Sequence, residues 1–180
     1  MTKVGLLFSG QGAQVPGMGK DFYENSEAAR SFFDQAQKIL DFDFKEMCFG
    51  EHEELNLTEY TQPCMVSVCL AIVQELKKRG INPDITAGLS LGEYAAVAAA
   101  GGMNELDAIK LVRRRGILMQ STVPAGEGAM AAVLGLDAKK IEEILESFEN
   151  VWIANYNCPG QIVITGLTND CLLYTSDAAD

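Results

Sequence analysis

Hydrophobic and polar positions in the first 122 residues follow strand-like and helix-like patterns in turn. Residues 4–8 form a continuous apolar run that ends at Ser9-Gly10, which is typical of a fully buried parallel strand. Apolar residues at helical spacing predict helices over residues 31–40, 65–79, 91–100 and 104–120. A second short strand is predicted at 85–89, and the glycine-rich segment 10–19 is predicted to be a loop. Two parallel strands are too few for the sheet that this half requires, so the chain is expected to be truncated.

The pattern changes after residues 123–128, which have the composition of a linker. A strand is predicted at 130–134, a capped helix at 137–148, and two strands at 151–156 and 161–165. This β-α-β-β order is the first two-thirds of a split β-α-β, ferredoxin-like unit. A helix and a strand would complete the unit, yet only 14 residues follow Gly166.

The composition of the 180 residues is that of an ordinary globular protein, with 48% hydrophobic and 22% charged side chains. No apolar run approaches the roughly 18 residues of a membrane span, and the N-terminal run is too short for a signal peptide. A net charge of −11 opposes binding to nucleic acid, because it would repel the phosphates. Five cysteines without a Cys-x-x-Cys pair favour free thiols in a reducing cytoplasm, and a single histidine, His52, gives no metal site.

The sharpest chemical signal is Gly88-Leu89-Ser90-Leu91-Gly92, between the predicted second strand and a helix of small residues. A nucleophile on a strained strand-to-helix turn needs glycine at both flanking positions, because a side chain there would collide with the neighbouring strand and helix. The backbone N–H of Leu91 would then point at a developing oxyanion. The alternative is a tight turn in which Ser90 only caps the helix.

The loop after the first strand, Gly10-Gln11-Gly12, matches neither phosphate-binding motif. A dinucleotide fingerprint needs glycine where Val15 stands, and a P-loop needs glycine at Gln14 and serine or threonine at Asp21. Since parallel strands bring their carboxyl ends together, Gln11 and Ser90 are predicted to share a crevice. A plain turn is the alternative for this loop.

Arg115 has four apolar neighbours on its own predicted helix, namely Leu111, Val112, Leu118 and Met119. This spacing predicts that the arginine points into the protein, where a guanidinium needs an anionic partner. The partner is either a core carboxylate, in a structural salt bridge, or the carboxylate of a substrate held by two hydrogen bonds. A side chain that extends back to solvent is the third alternative.

Taken in order, these motifs resemble the malonyl-CoA:acyl carrier protein transacylase family over about residues 1–169. The matching stretches are Phe8-Ser9-Gly10-Gln11-Gly12, Thr61-Gln62-Pro63, residues 88–94, Arg115-Gly116, residues 128–132 and Asn157-Cys158-Pro159-Gly160-Gln161. The resemblance implies an α/β fold with an α/β-hydrolase-like large subdomain and a ferredoxin-like small subdomain, both incomplete in this chain. The large subdomain is expected to comprise residues 1–123 and the small subdomain residues 124–169. Residues 170–180 are expected to be an unrelated, disordered tail.

The same resemblance implies the roles of the site residues. Ser90 would carry the malonyl group as an ester, the N–H groups of Gln11 and Leu91 would form the oxyanion hole, and Arg115 would hold the malonyl carboxylate. Malonyl-CoA and acyl carrier protein are the implied partners in the cytoplasm, with no metal or redox cofactor. Lys77-Lys78-Arg79 is a candidate patch for the acidic carrier, or simply a solvated helix end.

The chain also departs from the family pattern. Leu89 stands in place of the usual histidine before the nucleophile, and Ser9 in place of proline. The family's catalytic histidine lies after the small subdomain, and this sequence has only His52, so the fragment is expected to be inactive alone. Three other functions stay open, namely an acyltransferase domain of a polyketide synthase, a serine hydrolase or esterase with the same elbow, and a fragment without activity.

Overall fold

The computed structural model describes residues 3–122 and 126–171, in two compact units, Met1–Ser121 and Thr122–Asp180. The sequence placed the division two residues later, at 123/124, within a segment that lies partly outside the described residues. The strands are β1 (Gly5–Phe8), β2 (Ile85–Gly88), β3 (Gly128–Leu134), β4 (Val151–Cys158) and β5 (Gln161–Leu167). The helices are α1 (Lys20–Asn25), α2 (Glu27–Ile39), α3 (Phe44–Phe49), α4 (Thr58–Lys78), α5 (Gly92–Ala99), α6 (Glu105–Thr122) and α7 (Ala138–Leu145). The predicted α/β class is confirmed.

The first unit packs helices around the buried helix α4. The strands β1 and β2 pair in parallel, with Phe8 opposite Gly88 at their carboxyl ends. Ser26 caps helix α2, because its side chain accepts a hydrogen bond from the Ala29 N–H. The apolar face of α2 packs on α4. Phe33 on that face is fully buried, which stabilises the unit by about 3 kcal/mol relative to an exposed ring.

Two sequence predictions in this unit are wrong. The strand β1 is not fully buried, because Leu7 is 84% exposed and Ile85 on β2 is 68% exposed, so one face of the two-stranded sheet lies bare within the described residues. Helix α4 does not start after Pro63 but at Thr58, and Pro63 lies inside it. The short helices α1 and α3 and a 3-10 turn at Glu53–Asn56 were not predicted.

The second unit is an antiparallel sheet in the order β3-β5-β4, with α7 packed on it. Asp137 caps α7 by accepting a hydrogen bond from the Lys139 N–H. Ile141 on this helix is buried in one hydrophobic cluster with strand residues Val151 and Ile164. The predicted β-α-β-β order is present, and the strand order is that of the first three strands of a split β-α-β unit. Residues 172–180 of the predicted tail lie outside the described residues, whereas Cys171 at its start is buried in this core.

None of the helices in the described part of the chain is long and apolar enough to span a membrane.

Candidate active site

Ser90 occupies the sharp turn between β2 and α5. Its φ of 50° makes it the only non-glycine residue with a positive φ among the residues that the structure describes. Such a conformation is costly for a residue with a side chain, and it persists only where the surroundings enforce it. The side chain is exposed, and the helix that follows begins two residues later, so the hydroxyl lies at the positive end of α5.

The two glycines that flank this turn are required by contacts with backbone atoms. A Cβ at Gly88 would lie 2.1 Å from the carbonyl carbon of Gly92, and a Cβ at Gly92 would lie 2.3 Å from the Phe8 carbonyl oxygen. Strand β1, strand β2 and the start of α5 therefore meet without room for a side chain at either position. The sequence analysis predicted that a side chain at either position would collide with the neighbouring strand and helix, and these backbone contacts show the collision.

The Gln11 loop lies at the same edge of the sheet as Ser90. The Leu89 N–H donates to the Phe8 carbonyl oxygen at 3.0 Å, and a Cβ at Gly10 would lie 2.9 Å from the Leu89 carbonyl oxygen. The structure thus brings the loop after β1 against the turn after β2, as parallel pairing requires.

The Gln11 side chain is held by helix α4. Its Nε2 donates to Thr58 Oγ1 at 3.1 Å, and its Oε1 accepts a longer hydrogen bond of 3.4 Å from Gln62 Nε2. Gln62 is fully buried, its Nε2 also lies 3.3 Å from Met119 Sδ, and its Oε1 has no partner among the described residues. The sequence analysis gave Gln62 no role in the site. The available signal was its place in Thr61-Gln62-Pro63, one of the stretches that match the family.

The backbone N–H groups of Gln11 and Leu91 donate to no acceptor within residues 3–122 and 126–171. Leu91 itself is in the right-handed helical region, and its side chain is 1% exposed, so its backbone is fixed by packing. Two undonated N–H groups at the same edge of the sheet as an exposed hydroxyl are the kind of donors that an oxyanion hole uses.

Arg115 is half-buried rather than buried, which corrects the sequence prediction. Among its four apolar helical neighbours, only Val112 is buried, while the other three are 43–53% exposed. The guanidinium carbon lies 5.7 Å from the centre of the Tyr94 ring on α5, a favourable cation–π distance. Within the described residues it has no carboxylate partner, so the expected salt bridge to a core carboxylate is absent there.

On helix α6, the arginine that pairs with carboxylates is Arg113, two residues before Arg115. Its side chain is only 13% exposed and forms ion pairs with Asp41 at 2.9 Å and Glu59 at 3.1 Å. The hydrogen bond from Arg113 holds the pKa of the Asp41 carboxyl below its usual value. Burial alone would lower the pKa of Arg113, but the two carboxylates outweigh that effect and raise it. A count of neighbours on one helix could not reveal partners on other elements.

His52 and the basic patch at residues 77–79 form contacts with carboxylates of their own. His52 Nε2 contacts Glu46 Oε1 at 3.2 Å, so its carboxylate partner is on α3. The cations of Lys77-Lys78-Arg79 pair with Glu105, Glu27 and Glu75, which makes this patch far less basic than its sequence suggested. In the described residues no cluster of three histidine, cysteine, aspartate or glutamate side chains could hold a metal ion.

The sequence profile of the family described as "Acyl transferase domain" matches residues 6–175. The malonyl CoA-acyl carrier protein transacylase of Bacillus subtilis is 47% identical over 171 residues, which are 92% of this chain and 54% of that protein. The chain therefore spans about half the length of the curated relatives it matches.

Solved structures agree with this match. A malonyl CoA-acyl carrier protein transacylase from Clostridium perfringens is 42% identical, covers 98% of this chain and 58% of its own, and superimposes with a TM-score of 0.86. A malonyl-transacylase in complex with a type II polyketide acyl-carrier protein is 36% identical over 95% of this chain and 57% of its own, with a TM-score of 0.85. Because this match extends over nearly all its residues, the chain belongs to the acyl transferase domain family.

Proposed function

We propose that the chain forms the N-terminal part of a malonyl-CoA:acyl carrier protein S-malonyltransferase of cytoplasmic fatty acid synthesis. The observation that carries the proposal is the strained backbone of Ser90, with φ 50°, in a turn beside two undonated N–H groups. The relatives named above support the choice of malonyl-CoA and acyl carrier protein as partners.

In the first half-reaction, Ser90 Oγ attacks the thioester carbonyl carbon of malonyl-CoA. The hydroxyl proton passes to a general base, while the N–H groups of Gln11 and Leu91 donate to the carbonyl oxygen as it gains negative charge. The carbon–sulfur bond then breaks, the base returns the proton to the departing thiolate, and CoA leaves as a thiol. The malonyl group remains as an ester on Ser90.

In the second half-reaction, the phosphopantetheine thiol of acyl carrier protein attacks this ester. Its proton passes through the same base to Ser90 Oγ as the carbon–oxygen bond breaks, so the serine is regenerated and no cofactor is consumed. We assign the base to the family's histidine, which the resemblance places after the small subdomain. His52 is a poor substitute, because it precedes the nucleophile in the sequence, whereas enzymes of this turn type place the base after the serine.

Arg115 supplies the selectivity for malonyl. Its guanidinium lies over Tyr94, four residues after Ser90, and has no carboxylate partner in the described part of the chain. A free guanidinium near the nucleophile can take the malonyl carboxylate through two parallel hydrogen bonds. Residues 1–123 would then belong to the α/β-hydrolase-like subdomain and residues 124–169 to the ferredoxin-like one.

The test uses a completed chain, in which the C-terminal part of the Bacillus subtilis relative follows residue 171. Malonyl transfer from malonyl-CoA to acyl carrier protein should disappear in Ser90→Ala and persist in the matched control Ser31→Ala, an exposed serine on α2. Transfer that survives in Ser90→Ala would overturn the proposal. Release of free malonate in place of transfer would favour the serine hydrolase, and transfer to a polyketide carrier alone would favour the polyketide synthase domain.

A further inference from the structure

Arg113 compensates for a defect in helix α4. Pro63 has no N–H, so the carbonyl oxygen of Glu59, four residues earlier, lacks its usual helical donor. Arg113 Nη1 donates to this carbonyl oxygen at 2.8 Å and to Glu59 Oε2 at 3.1 Å. One guanidinium nitrogen therefore satisfies both the orphan carbonyl and the carboxylate of the same residue.

The rest of the guanidinium is fixed from the other side. Its Nε and Nη2 donate to the two carboxylate oxygens of Asp41 at 2.9 and 3.0 Å. The rings of Phe42 and Tyr60 lie 5.0 and 5.1 Å from the guanidinium carbon. Lysine could not replace these planar, forked contacts.

The start of α4 and the 3-10 turn before it, next to this arginine, also hold the Gln11 loop. Thr58 and Gln62 contact the Gln11 side chain, and Asn56 Oδ1 accepts a hydrogen bond from Gln14 Nε2 at 3.1 Å. Residues 56–62 thus lie between the Gln11 loop and α6, and we call this stretch the bracket.

Helix α6 contacts the bracket at three more points, one of which is the 3.3 Å contact between Met119 Sδ and Gln62 Nε2. Gln120 Oε1 accepts from the Thr58 N–H at 3.1 Å, and a Cβ at Gly116 would lie 2.7 Å from the Thr58 carbonyl oxygen. Of these four contacts, only that of Arg113 also binds a residue outside the two helices, namely Asp41.

We propose that Arg113 is a positioning residue, which fixes the bracket and thereby the backbone N–H of Gln11. The inference rests on the proposed function only in giving that N–H the role of an oxyanion donor. A displacement of about 1 Å at such a donor can cost roughly 100-fold in rate, so a fixed bracket matters for catalysis.

The test measures the Gln11 backbone amide in the 180-residue chain by two-dimensional NMR, together with amide hydrogen exchange. In Arg113→Gln and Arg113→Lys, we expect the Gln11 cross-peak to move and the amides of α4 near Pro63 to exchange about tenfold faster, the size of one lost hydrogen bond. Amides of α2 should keep their protection. Arg114→Gln is the matched control, since Arg114 is exposed on the same helix and has no ion pair within the described residues.

Asp41→Asn separates positioning from general loosening, because it leaves the hydrogen bond to the Glu59 carbonyl in place. We expect a smaller movement of the Gln11 cross-peak than in Arg113→Gln. An unmoved cross-peak in a folded Arg113 variant would overturn the proposal. So would faster exchange of α2 and α4 by the same factor, or an equal movement in Asp41→Asn. A completed chain without malonyl transfer would refute the proposed function and leave this result unchanged.

Discussion

Replacing Gly92 by alanine tests the geometry of the Ser90 turn. Gly92 is the first residue of α5, where alanine would ordinarily stabilise a helix by about 1 kcal/mol. In this structure, however, the added Cβ would lie 2.3 Å from the Phe8 carbonyl oxygen and 2.7 Å from its carbonyl carbon. Both are backbone atoms, which cannot rotate away as the end of a side chain can.

The cost follows from that contact. Strand β1 and helix α5 must separate by about 0.7 Å even to reach 3.0 Å, a distance that Cβ atoms essentially never undercut. Overpacking of this kind costs up to about 3 kcal/mol. After the gain in helix propensity, we expect Gly92→Ala to lose about 2 kcal/mol of the free energy of unfolding.

Urea unfolding followed by circular dichroism measures this loss, with Gly101→Ala as control. Gly101 has a φ of 80°, and a Cβ there would meet nothing within 4 Å, so its substitution costs only the conformational strain of about 1 kcal/mol. Gly92→Ala should therefore be the more destabilising variant. A stabilised Gly92→Ala, or one that equals Gly101→Ala, would refute the close contact between β1 and α5.

Three other predictions concern charge and catalysis. In the completed chain, Arg115→Ala should lower kcat/KM for malonyl-CoA about 30-fold, the size of charged hydrogen bonds, and leave acetyl-CoA nearly unchanged. An equal loss for both substrates would make Arg115 structural. The pKa of Asp41 is lowered from 3.8 by Arg113, so the stability that Asp41→Asn removes should be present at neutral pH. This stability should vanish as the pH falls below 3.8 through the folded-state pKa. Urea unfolding of both proteins at several pH values measures it, and a difference between wild type and Asp41→Asn that stays constant with pH would contradict the pairing. The 180-residue chain alone should not turn over malonyl-CoA, because its single histidine, His52, precedes the nucleophile, and transfer that depends on Ser90 would contradict this.

The sequence predicted those parts of the site that depend on local backbone chemistry. Gly88 and Gly92 each lie two residues from Ser90, and the backbone of α5 and of Phe8, respectively, leaves no room for a side chain at these positions. The position of Gln11 followed from parallel pairing alone. The β-α-β-β order of the second unit was likewise visible from turns and periodicity.

What the sequence could not predict depends on contacts between distant elements. Pro63 was a reasonable place to begin a helix, because nothing local shows that Arg113, fifty residues later, satisfies the carbonyl that proline leaves free. The same limit led to Arg115 being assigned the buried position. Three of its apolar helical neighbours are exposed, whereas Arg113 is covered by Asp41, Phe42 and Glu59 from other elements.

Mass spectrometry of the covalent intermediate tests most directly whether Ser90 carries the malonyl group. The completed chain is mixed with malonyl-CoA, quenched in acid and digested, and the peptides are searched for one added malonyl group. We expect a single malonyl ester on Ser90, which disappears when acyl carrier protein bearing phosphopantetheine is added before the quench. A malonyl group on another residue, or transfer to the carrier without an adduct on Ser90, would contradict it.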